Sequence, residues 1–269
     1  MLGDVTTGSA PHEPVPPRPL PPPGVVSRTA PEVAGHAARV ADLTDLDAAV
    51  SNCFACPRLV SWREEVAASK RASFRDWHYW GRPVPGNGPA DAEIAVLGLA
   101  PAAHGGNRTG RIFTGDRSGD VLFAALYRAG LASQPTSVAA DDGLTLAHTR
   151  IFAAVRCAPP DNKPLPVERD TCAPWLHREL QLIRPTLRVV VALGAFAWAA
   201  WWPAMTAVYG RTPPVPRPAF GHGAHVRVPD VPDLLGCYHV SQQNTFTGRL
   251  TPAMLDDVLH RAKVLAGLA

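Results

Sequence analysis

Ile94-Ala95-Val96-Leu97 runs straight into Gly98-Leu99-Ala100-Pro101-Ala102-Ala103-His104-Gly105-Gly106-Asn107-Arg108-Thr109-Gly110-Arg111-Ile112-Phe113-Thr114-Gly115-Asp116: a short apolar strand emptying into a glycine-rich loop. A helix follows, capped at Ser118 and stopped at Gly130. The same order recurs downstream. Ile151–Val155 reads as a second strand, the proline-rich loop Cys157 to Pro166 follows it, and Val167 to Arg184 reads as a helix that Pro185 ends. Val189–Leu193 is a third strand, turning at Gly194 into a helical run, and Leu234–Tyr238 is a fourth. Short apolar strands separated by helices predict an α/β fold with a short, central, mostly parallel sheet flanked by helices. Such a sheet receives its ligands at the carboxyl ends of its strands. The apolar run from Val189 to Trp202 is too short for a membrane span and Gly194 interrupts it, so no membrane role is expected.

With 269 residues, 46% of them hydrophobic, the chain can bury a sizeable core. Its formal charge of +3 is mild, so any grip on nucleic acid has to come from clustered basic residues. Nine of the first 31 residues are proline. Residues 1–40 are therefore expected to be a disordered, polyproline-like tail, and residues 41–269 a single domain.

The loop after the first strand has no Gly-Lys-Ser or Gly-Lys-Thr ending, which excludes a P-loop. The last loop, His239-Val240-Ser241-Gln242-Gln243-Asn244-Thr245-Phe246-Thr247-Gly248-Arg249-Leu250, repeats part of its pattern: Asn-x-Thr-Gly-Arg in the first loop becomes Asn-x-x-Thr-Gly-Arg here. Two glycine-hinged loops with arginine tips at one rim suggest a surface for a polyanion. Cys53-Phe54-Ala55-Cys56 together with Cys157 and Cys172 reads as a four-sulfur site for zinc or an iron–sulfur cluster. Cys237 reads as an inert, buried strand thiol. An odd cysteine count, a thiolate site and the lack of a signal-peptide pattern point to a reducing, cytoplasmic setting.

Three strings, Gly98 to Asp116, Arg156-Cys157-Ala158-Pro159-Pro160-Asp161-Asn162-Lys163-Pro164 and His239 to Asn244, occur in order with these cysteines. Together they resemble the family 5 uracil-DNA glycosylases of bacteria and archaea, from about residue 45 to the C-terminus. The resemblance implies a three-layer uracil-DNA glycosylase-like fold and one four-iron four-sulfur cluster on Cys53, Cys56, Cys157 and Cys172. It implies a monofunctional enzyme of base-excision repair that flips uracil, and other deaminated bases such as hypoxanthine, out of single- or double-stranded DNA and hydrolyses them off. A monomer near the nucleoid is the expected form. The competing reading is a non-catalytic iron–sulfur protein that binds nucleic acid or carries electrons.

By the same resemblance Asp116, His239 and Asn162 are the catalytic candidates. Asp116 orients water and offsets charge on the sugar, His239 donates to the departing base, and Asn162 reads the base edge. Gly98, Ala100 and Phe113 join them around the base, with Phe113 as the stacking wall. Arg108, Arg111, Ser241 and Arg249 are the DNA-binding candidates. Each catalytic candidate also has a purely structural reading: Asp116 as a helix-start carboxylate, His239 as a strand-end cap, Asn162 as a turn residue. Two departures stand out. Gly98-Leu99-Ala100-Pro101-Ala102 replaces the Gly-Gln-Asp-Pro-Tyr common in the wider superfamily, which moves water activation onto Asp116; Val240 stands where proline is common. No lysine is placed for a lyase step, and the Lys-Arg-Arg-Ile-His insertion of covalently trapped relatives is missing.

Overall fold

The computed structural model describes residues 25–269. Five strands make one sheet: β1 (Ile94–Gly98), β2 (Thr149–Ala153), β3 (Val189–Leu193), β4 (His225–Val226) and β5 (Asp233–Cys237), in the spatial order β2-β1-β3-β5-β4. All neighbours are parallel except the short edge strand β4, which runs antiparallel to β5. Helices α1 (Ala30–Arg39), α2 (Leu43–Ser51) and α3 (Pro57–Ser69) precede the sheet. A single turn, α4 (Gly106–Thr109), lies inside the loop after β1, and α5 (Arg117–Arg128), α6 (Pro166–Ile183), α7 (Ala195–Tyr209), α8 (Gln242–Phe246) and α9 (Pro252–Ala266) follow.

The strands are apolar throughout because both faces of the sheet are covered. Ile94 and Val96 of β1 face the layer built by Leu122 and Leu126 of α5 with Leu255 and Leu259 of α9. Ala95 and Leu97 face the other layer, where Leu176 and Leu180 of α6 meet Trp201 and Met205 of α7. This two-residue alternation places α5 and α9 on one side and α6 and α7 on the other. The run that resembles a membrane span is thus β3 followed by α7, a helix whose Trp198, Trp201 and Trp202 are all buried. Among the described residues no helix is long and apolar enough to cross a membrane.

Several expectations need correction. The tail does not extend to residue 40: Thr29 caps α1 with a reciprocal Glu32 contact, and Val33 and Ala37 of that helix are buried with Trp175 of α6. The stretch from 1 to 24 lies outside the described residues. Asp116, not Ser118, caps α5. The second strand starts at Thr149 and ends at Ala153, two residues earlier than its apolar run suggests, because Thr149 and Arg150 are buried polar residues that hide it. The sequence reading did not include β4, a two-residue strand in which Val226 packs on the α6–α7 layer.

Arg150 is buried because Glu179 of α6 meets it, Nε to Oε1 at 2.6 Å, and the same carboxylate pairs with Arg156 at the start of the next loop. Two cations on one fully buried carboxylate hold its pKa below the ordinary value in spite of burial. The arrangement ties α6 to β2 and fixes the backbone that carries Cys157.

Candidate active site

Loops leaving the carboxyl ends of β1, β2 and β5 share one rim and enclose a cavity of about 540 Å³. Ala100, Phe113, Asp116, Asn162, His239 and Ser241, six of the residues singled out from sequence, line it. Gly98 is not on the wall. It lies beneath Phe113, where a Cβ would come within 3.0 Å of the ring's Cζ. The ring sits 6.1 Å from the His239 imidazole, tilted by 41°, and its residue has a positive φ of 51°.

Asp116 serves as both helix cap and cavity wall. Its Oδ1 accepts from the Gly119 N–H at 2.9 Å. Its Oδ2 occupies the space that a Cβ on Gly105 would need, only 1.9 Å away, so a side chain at 105 would displace the carboxylate. Burial raises the Asp116 pKa, and the N–H groups of Gly119 and Ser118 offset part of that rise.

His239 follows β5, with its carbonyl accepting from Asn244 Nδ2 at 2.8 Å. Neither ring nitrogen has a hydrogen-bond partner among the described residues, and burial holds the imidazole below its usual pKa. It is a neutral ring at pH 7 with one N–H to donate. Asn162 ends a tight turn, Pro160–Asn162, in which Asp161 and Asn162 both take positive φ values, 52° and 56°. Asn162 is exposed and faces the cavity beside Asp161. Sequence reasoning missed Asp161, Arg117, Gln242 and Gln243, all on the wall. Their only signal was adjacency to Asn162, Asp116 and Ser241.

Two arginines assigned to DNA do something else. Arg111 is 5% exposed and donates to both Asp142 oxygens, at 2.8 and 2.7 Å, and to Ser137 and Thr114. Arg108 is 3% exposed, donates to the carbonyls of His104 and Gly115, and stacks on the rings of Phe74 and Trp77. A guanidinium so engaged cannot reach a phosphate; both side chains brace the loop from within. Arg249 is exposed, over the Tyr238 ring at 4.7 Å, and Arg117 is exposed at the cavity rim. Arg117→Ala and Arg249→Ala should each lower the salt slope of DNA binding by about 0.9. Arg111→Ala should leave that slope alone and cost on the order of 3 kcal/mol of stability, since Asp142 loses its counter-ion and keeps only the backbone N–H groups of Val138, Ala139 and Leu144. Salt titrations beside thermal melts check both.

Cys53, Cys56, Cys157 and Cys172 line a separate apolar hollow of about 20 Å³, and none is in a disulfide. Fully buried Arg63 donates to Cys157 Sγ and to the Cys53 carbonyl, both at 3.1 Å, while its Nε and Nη2 lack hydrogen-bond partners. Glu64, 3.9 Å away and half exposed, compensates this cation weakly. Burial pushes the four thiols up, Cys157 to about 11. Over the Phe54 ring at 4.8 Å and among neutral thiols, this buried cation is only partly compensated, and thiolates bound to a metal group would supply its partner. The residues fit such a group. No three His, Cys, Asp or Glu side chains among the described residues are gathered to hold a single ion, so the thiols ring a hollow rather than meet at a point. Cys237 is buried in β5, away from this hollow.

A family model of the Uracil DNA glycosylase superfamily matches residues 85–263. The chain is 57% identical over 226 residues to a Type-5 uracil-DNA glycosylase of Mycobacterium bovis, covering 84% of this chain and 82% of that protein. It is 54% identical over 217 residues to the Type-5 uracil-DNA glycosylase of Thermus thermophilus, with 80% and 94% covered. Identity to the Type-5 enzyme of Pyrobaculum aerophilum is 48% over 216 residues, with 80% and 90% covered.

Proposed function

The chain belongs to the uracil DNA glycosylase superfamily, and from that premise we propose that its cavity receives a nucleotide swung out of DNA, hydrolysing the base–sugar bond of uracil and of other deaminated bases, hypoxanthine included. The enzyme is a DNA glycosylase. The observation that carries the finer reading is the convergence of the Phe113 ring, the Asp116 carboxylate and the neutral His239 imidazole on one cavity at the carboxyl rim of the sheet.

The flipped base stacks on Phe113 while Asn162 meets its polar edge. As the bond to the sugar breaks, the base leaves with the electron pair and His239 donates a hydrogen bond to its carbonyl oxygen. Positive charge grows on the deoxyribose, beside the buried Asp116 carboxylate. That carboxylate orients a water, whose oxygen bonds to C1′ and whose proton passes to Asp116. No lysine is among the cavity-lining residues, so the product is an abasic site with its strand intact. Phe246, 69% exposed at the end of α8 and beside Arg117, is placed to fill the gap the nucleotide leaves in the duplex.

A four-iron four-sulfur cluster on Cys53, Cys56, Cys157 and Cys172 is part of this reading. When bound it serves as a cross-link: it joins the segment before α3 to the loop that presents Asn162. The enzyme acts as a monomer on single- and double-stranded DNA.

Duplexes with one lesion each, treated with enzyme and then with alkali to cut abasic sites, test the reading. Strand cleavage at uracil, and more slowly at hypoxanthine, is the expected result. Cleavage at uracil alone would remove the broader substrate claim, and a cluster-bearing protein with no activity on any lesion would favour a non-catalytic role.

A further inference from the structure

Beside the base cavity lies a second lobe of about 530 Å³, and the two share Ala102, Asp116, Arg117, Asn162 and Gln242. One flipped base occupies the first lobe. The second is walled by Phe74 and Trp77, two rings 5.9 Å apart at 74° that belong to none of the hydrophobic core clusters. Their half-buried faces are fixed by the Arg108 guanidinium, 3.9 Å from one centroid and 4.0 Å from the other. Arg108 is itself anchored on the His104 and Gly115 carbonyls, and its Nη1 has no hydrogen-bond partner among the described residues. Exposed Arg71 and Arg117 flank the lobe, with Asp116 on the shared wall and Asp120, 3.9 Å from Arg117, as the opposing charges. Aromatic faces held rigid beside cations are the chemistry that binds a nucleobase and its phosphate.

We propose that this lobe holds the nucleotide adjoining the damaged one on the same strand, its base against Trp77 and its phosphate between Arg71 and Arg117. The proposal rests on the base-flipping reading of the first lobe. A neighbour tethered through the backbone arrives at high effective concentration once the damaged nucleotide is seated, so the lobe needs no independent affinity. Two adjacent nucleotides then leave the base stack together. Single-stranded substrates, which lose less stacking and pairing on entry, gain most from it.

The test uses the whole protein and single-stranded trinucleotides with hydrolysis-resistant 2′-fluoro-2′-deoxyuridine at the centre and fluorescent 2-aminopurine on its 5′ or 3′ side. Quenching at one flank is expected. Trp77→Ala should remove the quenching and weaken binding about tenfold relative to wild type, and Trp77→Phe should keep most of both. Because Trp77→Ala also unstacks Arg108, Arg71→Ala is the second arm: it should weaken the flanked probe several-fold more than a probe lacking that flanking nucleotide. No quenching at either flank in a protein that excises uracil normally would overturn the lobe alone. Equal losses on flanked and unflanked probes in Arg71→Ala would overturn it too, while absent excision would sink the base-cavity reading instead.

Discussion

Asp116→Asn should slow single-turnover uracil excision by on the order of a hundredfold or more and yet melt no lower than the parent at neutral pH. Catalysis needs the charge; the helix cap does not. Asparagine caps a helix as well as aspartate does, so the contact to the Gly119 N–H survives the change. Burial raises the Asp116 pKa in the folded protein. The protonated group therefore suits the fold better than the ionised one, and its contribution to stability is present below the unfolded pKa and lost as pH rises through the raised folded value. The neutral amide escapes that loss, so the variant's relative stability should improve from acid to neutral pH. Excision by the parent should fall as pH drops through the same raised value. Melting curves and single-turnover rates on the same two proteins across pH check all of this. A variant that keeps wild-type rates would place the catalytic carboxylate elsewhere, with Asp161 the next to examine.

The second large effect belongs to the cysteines. The protein isolated without oxygen should be yellow-brown, and serine at Cys53, Cys56, Cys157 or Cys172 should bleach it and sharply reduce its solubility and melting temperature. Each loss leaves Arg63 buried without sufficient negative charge, a cost of about 3–5 kcal/mol where an ion pair is broken in an interior. Cys237→Ser should keep the colour, because that thiol lines no hollow with the others, and lower the melting temperature only by the cost of a hydroxyl buried in the core, about 1–3 kcal/mol. Iron and acid-labile sulfide assays decide the composition. A colourless protein with one zinc per chain would overturn the cluster.

The parallel strands were legible because they are buried on both faces and read as unbroken apolar runs; β2 was blurred where Thr149 and Arg150 satisfy polar groups inside the fold. Asp116, Phe113 and His239 were legible through the family resemblance, and they meet in one cavity because their loops leave strand ends on the same rim. The arginines were not. Arg108 and Arg111 look like Arg249 in sequence, each near Thr and Gly, and only tertiary partners such as Asp142 and Trp77 separate an internal brace from a free rim charge. Those partners are remote in sequence, and no local pattern announces them. The extent of the ordered N-terminal region was missed for a related reason: proline density masked the Thr29–Glu32 cap that starts α1.

The docking of α1 and α2 on α6 sets an order of events during synthesis. Val33, Leu46 and Val50 find their apolar partner in Trp175, on a helix that ends at Ile183. A ribosome adding roughly 5–20 residues per second needs on the order of ten seconds to go from the one to the other. For much of that interval the apolar faces of the first two helices have only each other for cover. Newly made chains thus expose this helix pair to proteases and chaperones, and a pause placed before residue 183 would lengthen that exposure.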